Sequence, residues 1–215
     1  MTQNIRYHSP ICIVLCALLA IAIFVAPASR AFAESTDEEA GQFIQNLANK
    51  AISVLREENG TLEVRETEFQ TLLYGGFALE RIGRFVVGSH WRKMSAEQQN
   101  DYKNLFKLWV LKTYSVRLGG YSGQTFSIVK VVEAGTTDRY VRTLIDQPKG
   151  GESVRADWRV RPIDGGFKIV DVVVEGVSMI VTQKQEFSAV VRRHGVDGLI
   201  ESLRARVSKF PAKPG

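Results

Sequence analysis

Cysteine is almost missing from this chain of 215 residues: there are two, Cys12 and Cys16. Both lie in one apolar run, residues 11–25, and no cysteine follows it. Beyond that run, disulfides, thiolate metal ligands and a cysteine nucleophile are excluded. Histidine is as scarce. Only His90 and His194 lie beyond residue 33, and neither has a second histidine at ligand spacing. A zinc site needs three or four converging ligands, so no metal is expected. The chain has no G-x-S-x-G elbow and no phosphate-cradling glycine loop; its Gly-Gly pairs read as turns. An excess of one charge is lacking too. Lys plus Arg is 28 and Asp plus Glu is 23, with the signs interspersed, so no nucleic-acid partner is expected. The mild positive balance is compatible with attraction to anionic membrane surfaces.

The only long apolar run is itself informative. Arg6 precedes it, Pro27 and Ser29 break it, and Ala31-Phe32-Ala33 gives a small-x-small pattern before Glu34. That order is the signature of a cleaved secretion signal. The run is shorter than the ~20 residues of a spanning helix. The expected organisation is a leader at 1–33, one domain at 34–207 and a loose tail at 208–215. Two basic residues, Arg6 and Arg30, leave with the leader, so the mature balance is 26 basic against 23 acidic residues.

Periodicity divides the mature chain into three parts. Helical spacing runs through 36–59, 63–74 and 77–88, the last with Leu79, Ile82, Phe85 and Val86 on one stripe. A fourth helix starts at a Ser95/Gln98 capping box and stops near Gly119-Gly120. Residues 124–133, 140–147, 153–161 and 167–174 then read as strands, divided by turns such as Asp164-Gly165-Gly166. In the third strand Val154, Ala156, Trp158 and Val160 alternate with Arg155, Asp157, Arg159 and Arg161, as in a sheet with one dry and one wet face. After Glu175-Gly176 the chain is helical again, broken at Gly195. The expected class is α+β: a curved, mainly antiparallel sheet of about four strands, wrapped by N- and C-terminal helices.

Asp171 and Glu175 are the two carboxylates in an otherwise apolar stretch. They read as hydrogen-bonded structural groups at a strand-to-helix junction. Absent a catalytic constellation, the apolar material is what remains. It is either a packed core or the wall of a gap between helices and a curved sheet that takes an apolar ligand. The dry faces supply the candidate lining: Phe77, Phe85, Phe106, Trp109 and Tyr114 from helices, Trp158 and Val160 from the sheet, Met179 and Phe187 from the C-terminal helix. Arg84 and Arg92 flank an aromatic block and are the candidates for a headgroup phosphate.

Three blocks carry a resemblance to a known family. They are Arg84-Phe85-Val86-Val87-Gly88-Ser89-His90-Trp91-Arg92, then Ser95-Ala96-Glu97-Gln98-Gln99 with Leu111-Lys112-Thr113-Tyr114, and the stretch from Gly165-Gly166 through Asp171-Val172-Val173-Val174-Glu175-Gly176-Val177-Ser178-Met179. Together they resemble the MlaC family, also called the toluene-tolerance or Ttg auxiliary proteins. Val173 to Met179, with Tyr121-Ser122-Gly123, is most similar to the hopanoid-associated HpnM branch. The resemblance implies a periplasmic lipid carrier with a deep apolar pocket. It would hold phospholipid or hopanoid and exchange it between an outer-membrane lipoprotein complex and an inner-membrane ABC transporter assembly. It implies no enzyme and no cofactor, and the carrier is expected to be a monomer. The rival reading is an exported adaptor with a solid core.

Overall fold

The computed structural model describes residues 28–56, 61–115 and 122–209. Most of the expected leader, the last six residues of the expected tail, and the expected helix stops at Asn59-Gly60 and Gly119-Gly120 lie outside that range. The chain divides into two units, Met1–Thr36 and Asp37–Gly215, and everything below concerns the second. Its helices are the part of α1 (Ala28–Arg56) from residue 37 onward, α2 (Leu62–Gly76), α3 (Leu79–Val87), α4 (Ala96–Ser115) and α5 (Met179–Ser208). Its strands are β1 (Thr125–Ala134), β2 (Asp138–Asp146), β3 (Val154–Ile163), β4 (Gly166–Val174) and β5 (Val177–Ser178). They form one antiparallel sheet in sequence order, so the α+β class and the meander are as expected.

The turn chemistry fixes the meander. Asp164 and Gly165 join β3 to β4 with φ of 52° and 76°. Both central residues of a two-residue type I′ hairpin must have positive φ, which Asp-Gly tolerates. Glu175-Gly176, with φ of 48° and 80°, repeats the device after β4. There it creates β5, a fifth strand of two residues that is too short to carry an alternation signal. The Glu175 carboxylate accepts the Arg155 backbone N–H, which helps to hold a side chain in this unusual conformation. Asp171 accepts from Ser178 Oγ at 2.6 Å and from the Ile180 N–H at 3.3 Å. Ser178 in turn caps α5 through the Val181 N–H. Both carboxylates are thus structural, as their setting suggested.

The capping box forms: Gln98 N–H donates to Ser95 Oγ and Ser95 N–H to Gln98 Oε1. Gly195 breaks α5 with φ 71° and ψ −177°, so two helical pieces meet there. Phe77 departs from expectation. It is extended (φ −108°, ψ 143°), bridges to Ile169, and only then does α3 begin. The Ala78 N–H bond to the Ile169 carbonyl ties this residue pair to β4, which is why the helix starts late.

Two apolar clusters form. One is helical, built from α2–α5 around Tyr102, Phe106, Trp109 and Phe187. The other joins Ala40 and Ile44 of α1 to Val141, Val160 and Ile169 on the inner sheet face. Phe77 packs against both. Tyr102 is fully buried, and its hydroxyl donates to the Gly83 carbonyl at 2.8 Å, tying α4 to α3. Burial pushes its phenol pKa upward. Tyr102→Phe should lower unfolding free energy by about 1 kcal/mol in urea titrations. No change would mean the bond is replaced.

Candidate functional site

The helical cluster and the sheet cluster do not close on each other. Between them lies a cavity of about 770 Å³, inside the range of roughly 300–1,000 Å³ that holds small-molecule ligands. Each wall has a local cause. The α1 wall is Leu47, Ala48, Ala51, Ile52 and Leu55, an i, i+3, i+4 stripe with two alanines that leave room. Phe69 and Leu72 of α2 and Ile82 and Val86 of α3 supply a second wall. Phe126, Ile145, Trp158, Val172 and Val174 are the sheet's apolar contribution. The Trp158 indole N–H donates to Thr143 Oγ1 at 3.1 Å, so the ring's polar edge is satisfied on the sheet.

Six of the nine candidate lining residues border this cavity: Phe77, Phe106, Trp109, Tyr114, Trp158 and Met179. Three are elsewhere. Phe85 is 41% exposed, with Lys184 Nζ 4.7 Å from its ring centre. It sits one residue before Val86, and α3 turns Leu79, Ile82 and Val86 inward instead. Val160 points inward as its alternation requires, but it is sealed under α1 in the sheet cluster. Phe187 faces Tyr102, Phe106 and Trp109 at ring-centre distances of 5.6–6.4 Å and fills the helical core. Neither candidate phosphate ligand reaches the cavity. Arg84 lies 5.1 Å over the Trp91 ring, and Arg92 is exposed on the 3-10 turn Gly88–Lys93.

The α1 wall went unread because helical spacing marks a buried stripe without telling a packed face from one that borders space. The polar lining was also missed. Gln124 and Gln147 meet at 3.4 Å from opposite ends of β1 and β2, and Gln183 projects from α5. Asp171 is the single charged residue among the described lining residues, and it is already bonded by Ser178 and the Ile180 N–H. Among the described residues no group of three or more His, Cys, Asp or Glu is placed to hold a metal. What the arrangement does is remove hydrocarbon from water, at ~25 cal/mol per Å² of apolar surface.

The family model described as "MlaC protein" matches residues 45–205. A curated relative from Haemophilus influenzae, the intermembrane phospholipid transport system binding protein MlaC, is 25% identical over 173 residues, covering 77% of this chain and 81% of the relative. A phospholipid-binding protein from Ralstonia solanacearum, solved in complex with a phospholipid, has a similar fold with a TM-score of 0.70. The identity is 24%, over 80% of this chain and 98% of that one. The family match spans the cavity walls from Leu47 to Gln183, and on that footing the chain belongs to the MlaC protein family.

Proposed function

We propose that the protein is an exported lipid carrier that encloses acyl chains in this cavity and moves lipid between membranes. The observation that carries the reading is the cavity itself: about 770 Å³, bordered mainly by apolar side chains. Phospholipid is the first ligand class, from what the two relatives are described as binding. Hopanoid is the second, from the resemblance of residues 173–179. The leader-like N-terminus supports a periplasmic location. The delivery partners would be an outer-membrane lipoprotein complex and an inner-membrane ABC transporter assembly, with the carrier itself a monomer.

The energetics favour such a device. Each methylene leaving water gains about 0.8 kcal/mol. A two-chain lipid has about thirty, so crossing water unaided faces a barrier of roughly 20 kcal/mol or more. A protein wall offers contacts like those of a bilayer interior, so loading and unloading are nearly balanced. No bond is made or broken, and the described bordering residues include no nucleophile–base pair. A solid-cored adaptor has no use for a cavity of this size.

Organic extraction of the purified protein followed by mass spectrometry is the test. Phospholipid or hopanoid should co-purify at close to one molecule per chain. Repeated recovery of lipid-free protein, with none taken up from vesicles, would return the adaptor reading.

A further inference from the structure

The outer face of the sheet, opposite the cavity, carries a charge arrangement that the carrier reading does not use. Along β2 and β3, Val141, Thr143, Ala156 and Val160 are buried, and their neighbours Tyr140, Arg142, Leu144, Arg155, Asp157, Arg159 and Arg161 face outward, half-buried or exposed. Lys130 of β1 pairs directly with Arg142, and Arg142 with Asp157. The face therefore holds six cations: Lys130, Arg142, Arg155, Arg159, Arg161 and Lys168, the last donating to the Gly75 carbonyl. Three acids answer them, of which Asp146 accepts from the Thr125 and Ser153 hydroxyls. Asp138 is consumed by Arg159 at 2.6 Å and by Arg161 at 2.5 Å. Asp157 is 3.7 Å from Arg142, whose Nε is buried without a hydrogen-bond partner. Lys130 and Arg155 have no acid within salt-bridge distance among the described residues.

This face thus has an excess of three positive charges, equal to the excess of the whole mature chain. Like charges directly opposed across two strands, as in Lys130 and Arg142, destabilise a sheet. The unpaired cations, Lys130 and Arg155, lie on β1 and β3, two strand spacings of ~4.8 Å apart, with the Asp157-paired Arg142 on β2 between them. Tyr140 and Leu144 lie among them, and Val129, extruded by the bulge before Lys130, is 57% exposed. A broad array of cations interleaved with apolar groups matches a surface of many anions over hydrocarbon. We infer that the outer face of the sheet docks the protein on the anionic headgroups of a membrane. This holds whether or not the cavity carries lipid.

The probe is cosedimentation of the full mature chain with phosphatidylcholine vesicles, with or without phosphatidylglycerol at roughly a third of the lipid. Each cation near an anionic surface multiplies affinity by about fivefold, so three give on the order of a hundredfold preference for the anionic vesicles. Raised salt should erase it. The double variant K130Q/R155Q, at exposed positions outside any ion pair, should lose about 25-fold while keeping the wild-type melting temperature. K93Q/R192Q, with the same charge change at exposed sites on other elements, should bind as wild type. The inference is overturned if the two variants weaken binding equally, since net charge alone then acts. It is also overturned if the wild type ignores anionic vesicles at low salt, which leaves an acidic protein as the occupant. Lipid extraction from neutral vesicles reads the cavity separately, so failure of either idea is visible alone.

Discussion

Trp158→Asp is expected to leave a folded protein that no longer retains lipid. The side chain is half-buried, borders the cavity and hangs from the sheet by its bond to Thr143. In the empty protein a carboxylate there is hydrated by the space it faces. With acyl chains bound, it must be desolvated with no cation among the described lining residues to meet it. An unpaired buried carboxylate costs several kcal/mol, and each 1.4 kcal/mol is about tenfold in affinity. Lipid recovered by extraction should therefore fall by a factor of roughly 100 or more. Trp109 is the poorer site for this test, because its ring packs on Phe106 and Phe187 and the same change would break the helical core. A bulk-only companion, A48F/A51F, should also expel lipid by filling the α1 wall, with stability kept or raised. Wild-type lipid content in both folded variants would remove this cavity as the binding site.

Asp138→Ala should be the most damaging single change in the sheet. Asp138 is 1% exposed and accepts Nε of Arg159, and Nε and Nη2 of Arg161 at 2.5 and 2.8 Å. The next residue, Arg139, donates to the Asp138 carbonyl and pairs with Asp37 of α1. Removing one partner of a buried ion pair costs ~3–5 kcal/mol. Arg159 and Arg161 are partly exposed and can turn to water, so about 2–4 kcal/mol is expected. Burial alone would raise the Asp138 pKa, but the bonds from Arg161 and Arg159 and their charge outweigh it and hold the carboxyl below its ordinary value. A depressed native pKa contributes stability above the unfolded-state value of about 4 and loses it as acid titrates the folded carboxylate. Wild-type melting temperature should therefore drop below about pH 4, and Asp138→Asn should lack that part of the drop. Parallel curves for the two proteins would show that Asp138 is not the group responsible.

Sheet order, the Asp-Gly hairpin, the Ser95 capping box and the Gly195 break were all readable, because each rests on short-range steric or hydrogen-bonding rules. Of the candidate lining, Phe106, Trp109, Trp158 and Met179 lie where periodicity turned them, toward the interior, whereas Tyr114 borders the cavity while 39% exposed. Phe85 and Phe187 show the limit. A stripe says that a side chain faces inward; whether it meets another ring, open space or a lysine depends on the neighbour opposite, which is far away in sequence. Asp138 is the sharper case. It reads as a turn residue, and only the pairing of β2 with β3 brings Arg159 and Arg161 around it.

Residue order alone settled that no thiol lies beyond residue 16 and that no histidine pair at ligand spacing and no G-x-S-x-G elbow occurs. It also set the succession of helices and strands, since those follow from φ/ψ preference and burial within a few residues. That the interior is hollow came from the packing of α1 and α2–α5 against the sheet. Space is a property of surfaces that fail to meet, and no single segment encodes that failure. It arises when two apolar clusters, each satisfied within itself, share little more than Phe77 as a contact.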